Sequence, residues 1–250
     1  MNSFHNGIPI GVSFEKGIFN NYSFLISRDM KSTSKFLYVI IFILLPCSLF
    51  GQKQQTIELI ELYKNGKLKV VNRNVEIVSS DSGAYLTILE SKKEGIIWLP
   101  IQDFTNGTIE IEMRGKDVFQ QSFIGVAFHG VDDISYDAVY CRPFNFFAKD
   151  SVRRIHAIQY ISHPNFTWEK LRNERNAVFE KEITNPPHPN DWFNMKLVID
   201  NTTVTAYINN ATQPSLMVEK LNNRTAGKIG LFTADNSGGD FRLIKIKYNE

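Results

Sequence analysis

The stretch FNMKLVIDNTTVTAYINN, residues 193–210, determines the fold class of this chain. Its apolar side chains recur at every second position, so that Phe193 and Met195 share one face of an extended chain and Lys196 lies on the other. This period of two is typical of a half-buried β-strand, and the polar DNTT at 200–203 is a turn signal. The stretch therefore predicts two neighbouring strands joined by a turn.

The same alternation recurs along most of the chain. Turn signals rich in Asn, Asp and Gly separate the alternating runs, as at 105–107 and 235–240. Many short strands with such turns between them predict an all-β sandwich or barrel with antiparallel sheets. One interruption is expected, because 167–175 has little strand character and lies in a long polar insertion, 163–190. We expect one short helix there. The further alternating runs are 108–115, 228–232 and 241–248.

A segment near the N-terminus has the parts of a secretory signal peptide. It begins at Met30 with two lysines nearby, continues with the apolar run 36–45, and ends in a short cleavage region at Gly51. The apolar run is shorter than the roughly 20 residues of a membrane span, so an anchor helix is the less favoured alternative. The expected organisation is an over-extended gene start at 1–29, a signal peptide at 30–51 and a single domain at 52–250.

Cysteine use and charge narrow the expected location and partners. A lipoprotein, lipidated at Cys47, is less favoured than a protein released by signal cleavage, because Pro46 occupies the position where a lipoprotein signal needs a small residue. The expected location is therefore secreted or periplasmic. Residues 1–51 hold four of the 28 basic and two of the 26 acidic residues, which leaves 24 of each in the expected domain. This balance predicts no nucleic-acid partner and no membrane association after signal cleavage.

The order of elements in the C-terminal half resembles a known superfamily. DWFNMKLVIDNTTVTAYINN (191–210) is followed by GKIGLFTADNSGGDFRLIKIK (227–247), and SFIGVAFHG (122–130) and IQYISHP (158–164) fit the core strands before them. Over 56–248 the chain resembles the concanavalin A-like lectin/glucanase superfamily. It is most similar to the laminin G-like and 3-keto-disaccharide hydrolase-type domains of exported bacterial proteins. The resemblance implies a jelly-roll β-sandwich of two antiparallel sheets, with ligands on the concave face.

The stretch AFHGVDDISYDAVYCRPFNF, residues 127–146, supplies the first candidate site. Alternation places His129, Tyr140 and Arg142 on the side opposite the large apolar residues, beside small neighbours. Tyr and Arg offer a planar face and fixed hydrogen-bond donors, which suit a sugar. An ordinary solvated sheet face with cross-strand pairs is the alternative. The same alternation places Asp137 on the core side, for which the sequence offers no reason.

Three further residues extend this candidate ligand-binding face. The resemblance favours Gln159 and His163 on the ligand side of the next strand, 153–163. Trp168, in the polar insertion, is a candidate stacking platform at the rim, and packing of the insertion onto the sandwich is the alternative. Trp192 is expected in the core as a framework residue.

Catalysis and metal binding have weaker support. Glu110 and Glu112 lie on one face of a strand, but a solvated face explains them, and Ala157 and Ser162 occupy the acidic positions of hydrolase-type relatives. Asp132 and Asp133 read as turn residues, and Cys141 as a buried, inert thiol. Asp235 and Asp240 are weak candidates for calcium, although a tight turn explains them without a metal. No other cofactor is predicted.

These observations favour binding over catalysis. The leading hypothesis is an exported carbohydrate-binding or glycan-processing accessory domain that holds a saccharide on its concave face. The first alternative is a glycoside hydrolase, or a hydrolase or lyase of 3-keto-glycosides and other modified disaccharides. The second is a laminin G-like protein-interaction module.

Overall fold

The computed structural model describes residues 53–249. The predicted gene extension, signal peptide and lipidation at Cys47 lie outside the described residues, so export and a secreted location stay predictions. Among the helices of 53–249, none combines the length and the apolar character that crossing a bilayer requires.

Fifteen strands and three short α-helices make up the described part of the chain. The helices are α1 (Leu59–Lys64), α2 (Ser151–Arg154) and α3 (Trp168–Glu174), and a 3-10 helix spans Pro143–Asn145. The strands are β1 (Gln54–Ile57), β2 (Lys69–Val71), β3 (Val75–Ser80), β4 (Gly83–Ser91), β5 (Gly95–Trp98), β6 (Gly107–Arg114), β7 (Ile124–Gly130), β8 (Asp137–Cys141), β9 (Ile158–Ser162), β10 (Glu180–Lys181), β11 (Phe193–Ile199), β12 (Thr203–Ile208), β13 (Leu216–Glu219), β14 (Lys228–Thr233) and β15 (Ser237–Tyr248).

The strands form two antiparallel sheets, which confirms the predicted all-β sandwich. The first sheet has the order β13-β12-β11-β6-β15-β4-β3, with β1 paired to β15. The second sheet has the order β10-β9-β8-β7-β14-β5-β2. The predicted turn after β11 is present, because the Asp200 carboxylate accepts hydrogen bonds from the backbone N–H groups of Thr202 and Thr203.

The first sheet has one face toward the core and one toward water. In β6, Ile109, Ile111 and Met113 are fully buried, whereas Glu110 and Glu112 alternate with them and remain accessible. Burying such a row of aliphatic side chains stabilises the fold by roughly 25 cal/mol for each Å² of apolar surface removed from water. The period of two in the sequence therefore corresponds to a real division between core and solvent.

The second sheet differs, because every residue of β7, β8 and β9 is buried. One face, here called the inner face, packs on the first sheet, as shown by the Ile124 side chain lying against Gly239 of β15. The opposite face, here called the outer face, is covered by α3, the 3-10 helix and their connecting loops. The alternative of an ordinary solvated sheet face is thus wrong for β7, β8 and β9. The inner face carries Val126, Phe128, Val139 and Cys141, all of which are buried.

Two local expectations also need correction. The predicted strand 153–163 begins only at Ile158, because residues Ser151–Arg154 form α2, with the Asp150 carboxylate as its N-terminal cap. Trp192 does not lie in the core but is partly exposed on the outer side of the first sheet. Its ring packs between the guanidinium groups of Arg114 and Arg242, at 4.9 and 4.3 Å.

Candidate functional site

Three of the predicted residues form a hydrogen-bonded cluster on the outer face. The register places Tyr140 directly opposite Gln159, so their side chains share this face, and Arg142 follows at the end of β8. The Tyr140 hydroxyl donates to Gln159 Oε1 at 2.8 Å, and Arg142 Nη2 donates to the Tyr140 hydroxyl at 2.9 Å and to Gln159 Oε1. The predicted grouping of these three side chains on one face is therefore present in the structure.

A buried carboxylate that the sequence did not reveal lies next to this cluster. Glu180 of β10 is opposite Gln159 in the sheet, and its side chain is 2% exposed. Its Oε2 lies 2.8 Å from His156 Nδ1, 2.9 Å from Arg172 Nη2 and 3.5 Å from Arg142 Nη1. One carboxylate thus pairs with two guanidinium groups and also contacts the His156 imidazole. No local signal in the sequence distinguishes it, because Glu180 lies in the mixed run VFEKEI at 178–183 together with a second acidic residue, Glu182.

A cavity of about 410 Å³ opens above this cluster. Tyr140 and Phe123 form its floor, and their rings are 6.2 Å apart in an edge-to-face arrangement. The polar side chains beneath and beside the floor are held in place by protein hydrogen bonds, so little ordering is left for a ligand to impose. The volume lies in the range of roughly 300–1,000 Å³ that small-molecule sites occupy.

Two exposed aromatic rings stand at the rim of the cavity. Trp168, the first residue of α3, is 44% exposed, and Phe119, in the loop before β7, is 57% exposed. An arginine lies over each ring, with Arg172 at 5.2 Å from Trp168 and Arg153 at 4.6 Å from Phe119. The structure thus brings Trp168 to the rim of the cavity that Tyr140 and Arg142 line.

The opposite wall of the cavity is acidic. Glu94 lies there, and its Oε2 accepts a hydrogen bond of 2.5 Å from the Tyr136 hydroxyl. His163 Nε2 lies 3.3 Å from Glu94 Oε1, and the His163 ring stacks on Tyr136 at 5.1 Å. His163 is therefore behind the wall, in contact with Glu94 and outside the lining. Asp235 lines the same side, and its carboxylate accepts a hydrogen bond from the backbone N–H of Lys93.

Burial and these contacts determine the protonation states in the cavity. Burial raises the pKa of Tyr140 to about 12, so its hydroxyl stays protonated and keeps its hydrogen bond to Gln159 Oε1. Burial also lowers the pKa of His156, although Glu180 opposes this shift. For Glu94, burial acts to raise the pKa, but His163, Tyr136 and Arg73 together hold it below its ordinary value. The Glu94 carboxylate is consequently ionised at neutral pH.

His129 does not lie with the other predicted residues, which corrects the alternation used above. Its φ of 49° and the register irregularity opposite Lys228 mark a bulge at the end of β7, and a bulge re-aims side chains. The ring is fully buried near Phe104 and Phe128, with Nε2 2.7 Å from the carbonyl oxygen of Thr105. The bulge thus removes His129 from the outer face.

The structure also explains why Asp137 lies on the core side. Its carboxylate accepts hydrogen bonds from the Tyr160 hydroxyl at 2.8 Å, from Asn222 at 2.6 Å and from Arg224 at 3.2 Å. Asn222 and Arg224 belong to the loop between β13 and β14. Asp137 therefore anchors this loop, and its charge is paired inside the core.

The two weak calcium candidates are both engaged by protein donors. The Asp240 carboxylate accepts hydrogen bonds from Thr87 and Arg114 on the outer side of the first sheet. Asp235 lies at the cavity and bonds to Lys93 and Asn236. Within residues 53–249, no three His, Cys, Asp or Glu side chains are grouped as metal ligands would be. Calcium at either position stays a prediction.

Comparison with known proteins shows the fold. No protein-family model and no curated protein sequence matches the chain. Among solved structures, a protein of unknown function with a galectin-like fold from Bacillus subtilis is 15% identical, with a TM-score of 0.52 over 77% of this chain and 94% of that one. The carbohydrate-binding module CBM66 from Bacillus subtilis is 12% identical, with a TM-score of 0.47 over 73% and 92% of the two chains. A Bacillus licheniformis β-glucanase is 12% identical, with a TM-score of 0.44 over the same shares.

The first of these similarities and the two antiparallel sheets define the fold. The chain is a galectin-like jelly-roll β-sandwich, the fold of the concanavalin A-like lectins and glucanases. This confirms the resemblance found in the sequence at the level of the fold.

Proposed function

We propose that the cavity on the outer face of the second sheet binds a saccharide, and that the chain is an exported accessory domain for glycan recognition. The observation that carries this proposal is the combination of exposed aromatic rings at the rim with fixed hydrogen-bonding groups in one preformed cavity. A sugar ring presents an apolar C–H face and an edge of hydroxyl groups. Trp168 and Phe119 suit the first, and the partly exposed side chains of Arg172 and Glu94 suit the second. Tyr140 and Arg142 support this lining from beneath.

The test is calorimetric titration after a glycan array has selected a saccharide. Trp168→Ala removes the rim platform, and we expect it to weaken binding by about 1.4 kcal/mol, or ~10-fold in Kd, the loss of one aromatic contact at the rim. Trp168 is exposed, so the fold should tolerate the change, whereas Arg142→Ala would leave the buried Glu180 with fewer partners.

Met217→Ala is the matched control for loss of an exposed apolar side chain. Met217 is 62% exposed and lies on β13 of the first sheet, away from the cavity. Its affinity should equal that of the wild-type protein. The proposal fails if the wild-type protein binds no saccharide on the array, or if Trp168→Ala and Met217→Ala bind equally well.

A second candidate function is hydrolysis or lyase cleavage of a modified disaccharide, and Glu94 is the observation that favours it. An ionised carboxylate beside an imidazole in a cavity wall is suited to accept a proton from an attacking water or from the substrate. Incubation with 3-keto-glucosides and with neutral disaccharides would reveal released sugar. If turnover occurs, Glu94→Gln should abolish it while saccharide binding remains. Absence of turnover with every substrate removes this candidate.

A further inference from the structure

We infer that the saccharide carries a carboxylate and that Arg153 and Arg172 bind it, with the buried Arg142 adding positive charge beneath them. The inference rests on the proposed function of the cavity and names the chemical class of its ligand, a uronic-acid-type sugar. It depends on the distribution of charge in the cavity, because arginines line one wall and carboxylates line the other. A neutral sugar would not require this separation of charge.

One wall of the cavity has more positive charge than its own carboxylate can compensate. Arg142 and Arg172 both pair with Glu180. Arg153 donates to Asn145 Oδ1 at 3.2 Å and to the carbonyl oxygen of Phe144 at 2.9 Å, which are neutral acceptors. In the part of the chain that the structure describes, no carboxylate lies within 4.0 Å of the Arg153 guanidinium. Three guanidinium charges therefore face one carboxylate on this wall.

Donors remain free at the place where a ligand would sit. Over residues 53–249, neither Arg153 Nη1 nor Arg172 Nη1 donates a hydrogen bond to another protein group. Each of these two guanidinium groups lies over a rim ring, Phe119 and Trp168 respectively. A planar guanidinium held in this way matches the two oxygens of a carboxylate and forms shorter, stronger hydrogen bonds than it forms with a hydroxyl.

The acidic wall defines the orientation of such a ligand. Glu94 is ionised and already accepts from Tyr136, and Asp235 lies on the same side. A sugar carboxylate near these groups would be repelled, whereas sugar hydroxyls there can donate to them. The ligand would therefore lie with its carboxylate toward the arginines and its hydroxyls toward Glu94.

The experiment compares matched acidic and neutral probes by calorimetry. The probes are oligogalacturonides and their carboxyl-reduced forms, and methyl glucuronide with methyl glucoside. We expect the acidic member of the preferred pair to bind about tenfold tighter or more, the effect of one charge-assisted hydrogen-bonded pair. This preference should shrink as salt is raised, since part of it is electrostatic.

Two neighbouring arginines supply the variant and its control. Arg153→Gln should remove most of the preference for the acidic probe and leave binding of the neutral probe unchanged. Arg153→Lys keeps the charge and loses the fork, so it should retain part of the preference. Arg154→Gln is the control, because Arg154 pairs with Glu182 and bonds to the carbonyl oxygens of Ala148 and Lys149, outside the cavity lining. Thermal unfolding of each variant shows that it is folded.

The outcomes separate the two proposals. If acidic and neutral probes bind with equal affinity, the cavity is a saccharide site and the carboxylate inference is wrong. If Arg153→Gln and Arg154→Gln reduce the preference equally, overall charge is responsible, and the assignment to the arginine wall is wrong. If no probe and no glycan binds the wild-type protein, the proposed function itself fails, and the inference fails with it.

Discussion

Replacement of Glu180 by glutamine tests the electrostatic arrangement beneath the cavity. The change keeps the size of the side chain and removes the carboxylate that Arg142, Arg172 and His156 approach within 3.5 Å. Arg142 is itself buried, so its charge would remain in the protein interior without its counter-charge. Removing one partner of a buried ion pair costs about 3–5 kcal/mol. Because Arg172 is partly exposed and can be solvated, we expect a loss near the lower limit, about 3 kcal/mol.

The assay is thermal unfolding at neutral pH, followed by circular dichroism or calorimetry. For a domain of this size, 1 kcal/mol corresponds to roughly 2–4 °C in Tm, so Glu180→Gln should lower the Tm by about 6–12 °C. Glu182→Gln makes the same chemical change two residues away, at a side chain that is 50% exposed and pairs with Arg154. A surface ion pair contributes about 0–1 kcal/mol, so this control should shift the Tm by ~4 °C at most. Equal shifts for the two variants would refute the reasoning.

Three further predictions concern other buried groups. Burial lowers the pKa of His129, so below about pH 6.5 the unfolded chain binds a proton that the native protein does not, and the free energy of unfolding falls as pH falls. His129→Asn tolerates the positive φ and should remove this contribution to the pH dependence, as measured by urea titrations at pH 7.5 and 5.5. Burial raises the pKa of the Cys141 thiol, so a chromogenic thiol reagent should label it only after denaturant unfolds the protein, and rapid labelling of the native protein would contradict its burial. Gly125→Ala places a methyl group 2.1 Å from the Val139 carbonyl oxygen, so it should lower the free energy of unfolding by about 1–3 kcal/mol or more, as measured by chemical denaturation. An unchanged denaturation midpoint would show that the β8 backbone can move to accommodate the methyl group.

The features that the sequence could predict are those that depend on local alternation. Val126 and Val139 are inward, and Tyr140 is outward, because a strand with a period of two cannot place them otherwise. A single departure from regular strand geometry was enough to misplace His129, since a bulge reverses the side toward which a residue points. The residue types around His129 do not predict that bulge. A glycine at the positive φ would have been a signal, but here the residue that adopts it is a histidine.

The rest of the site is not local and could not be read from the alternation. Glu180 approaches Arg142 across β9, 38 positions along the chain. Glu94, the residue before β5, contacts His163 and Tyr136, although none of the three is near the others in sequence. The polar composition of an insertion predicts a loop, but it does not indicate whether the side chains of that loop meet at a cavity. Trp168 could be recognised as a rim residue only because its aromatic side chain stands out within a polar segment.

The two buried ionic clusters of this protein differ in a way that bears on function. A buried ion pair adds little stability compared with well-packed apolar residues, so its presence calls for another reason. Asp137 lies on the inner face, and its hydrogen bonds to Asn222 and Arg224 hold the loop between β13 and β14, which is a structural reason. Glu180 instead holds the buried Arg142 beneath the cavity and the partly exposed Arg172 in its lining. Arg153 and Arg172 each keep a free donor in the lining of this cavity, where an acceptor group of a ligand could bind it. This is the physical basis for the proposal that the outer face is a binding site.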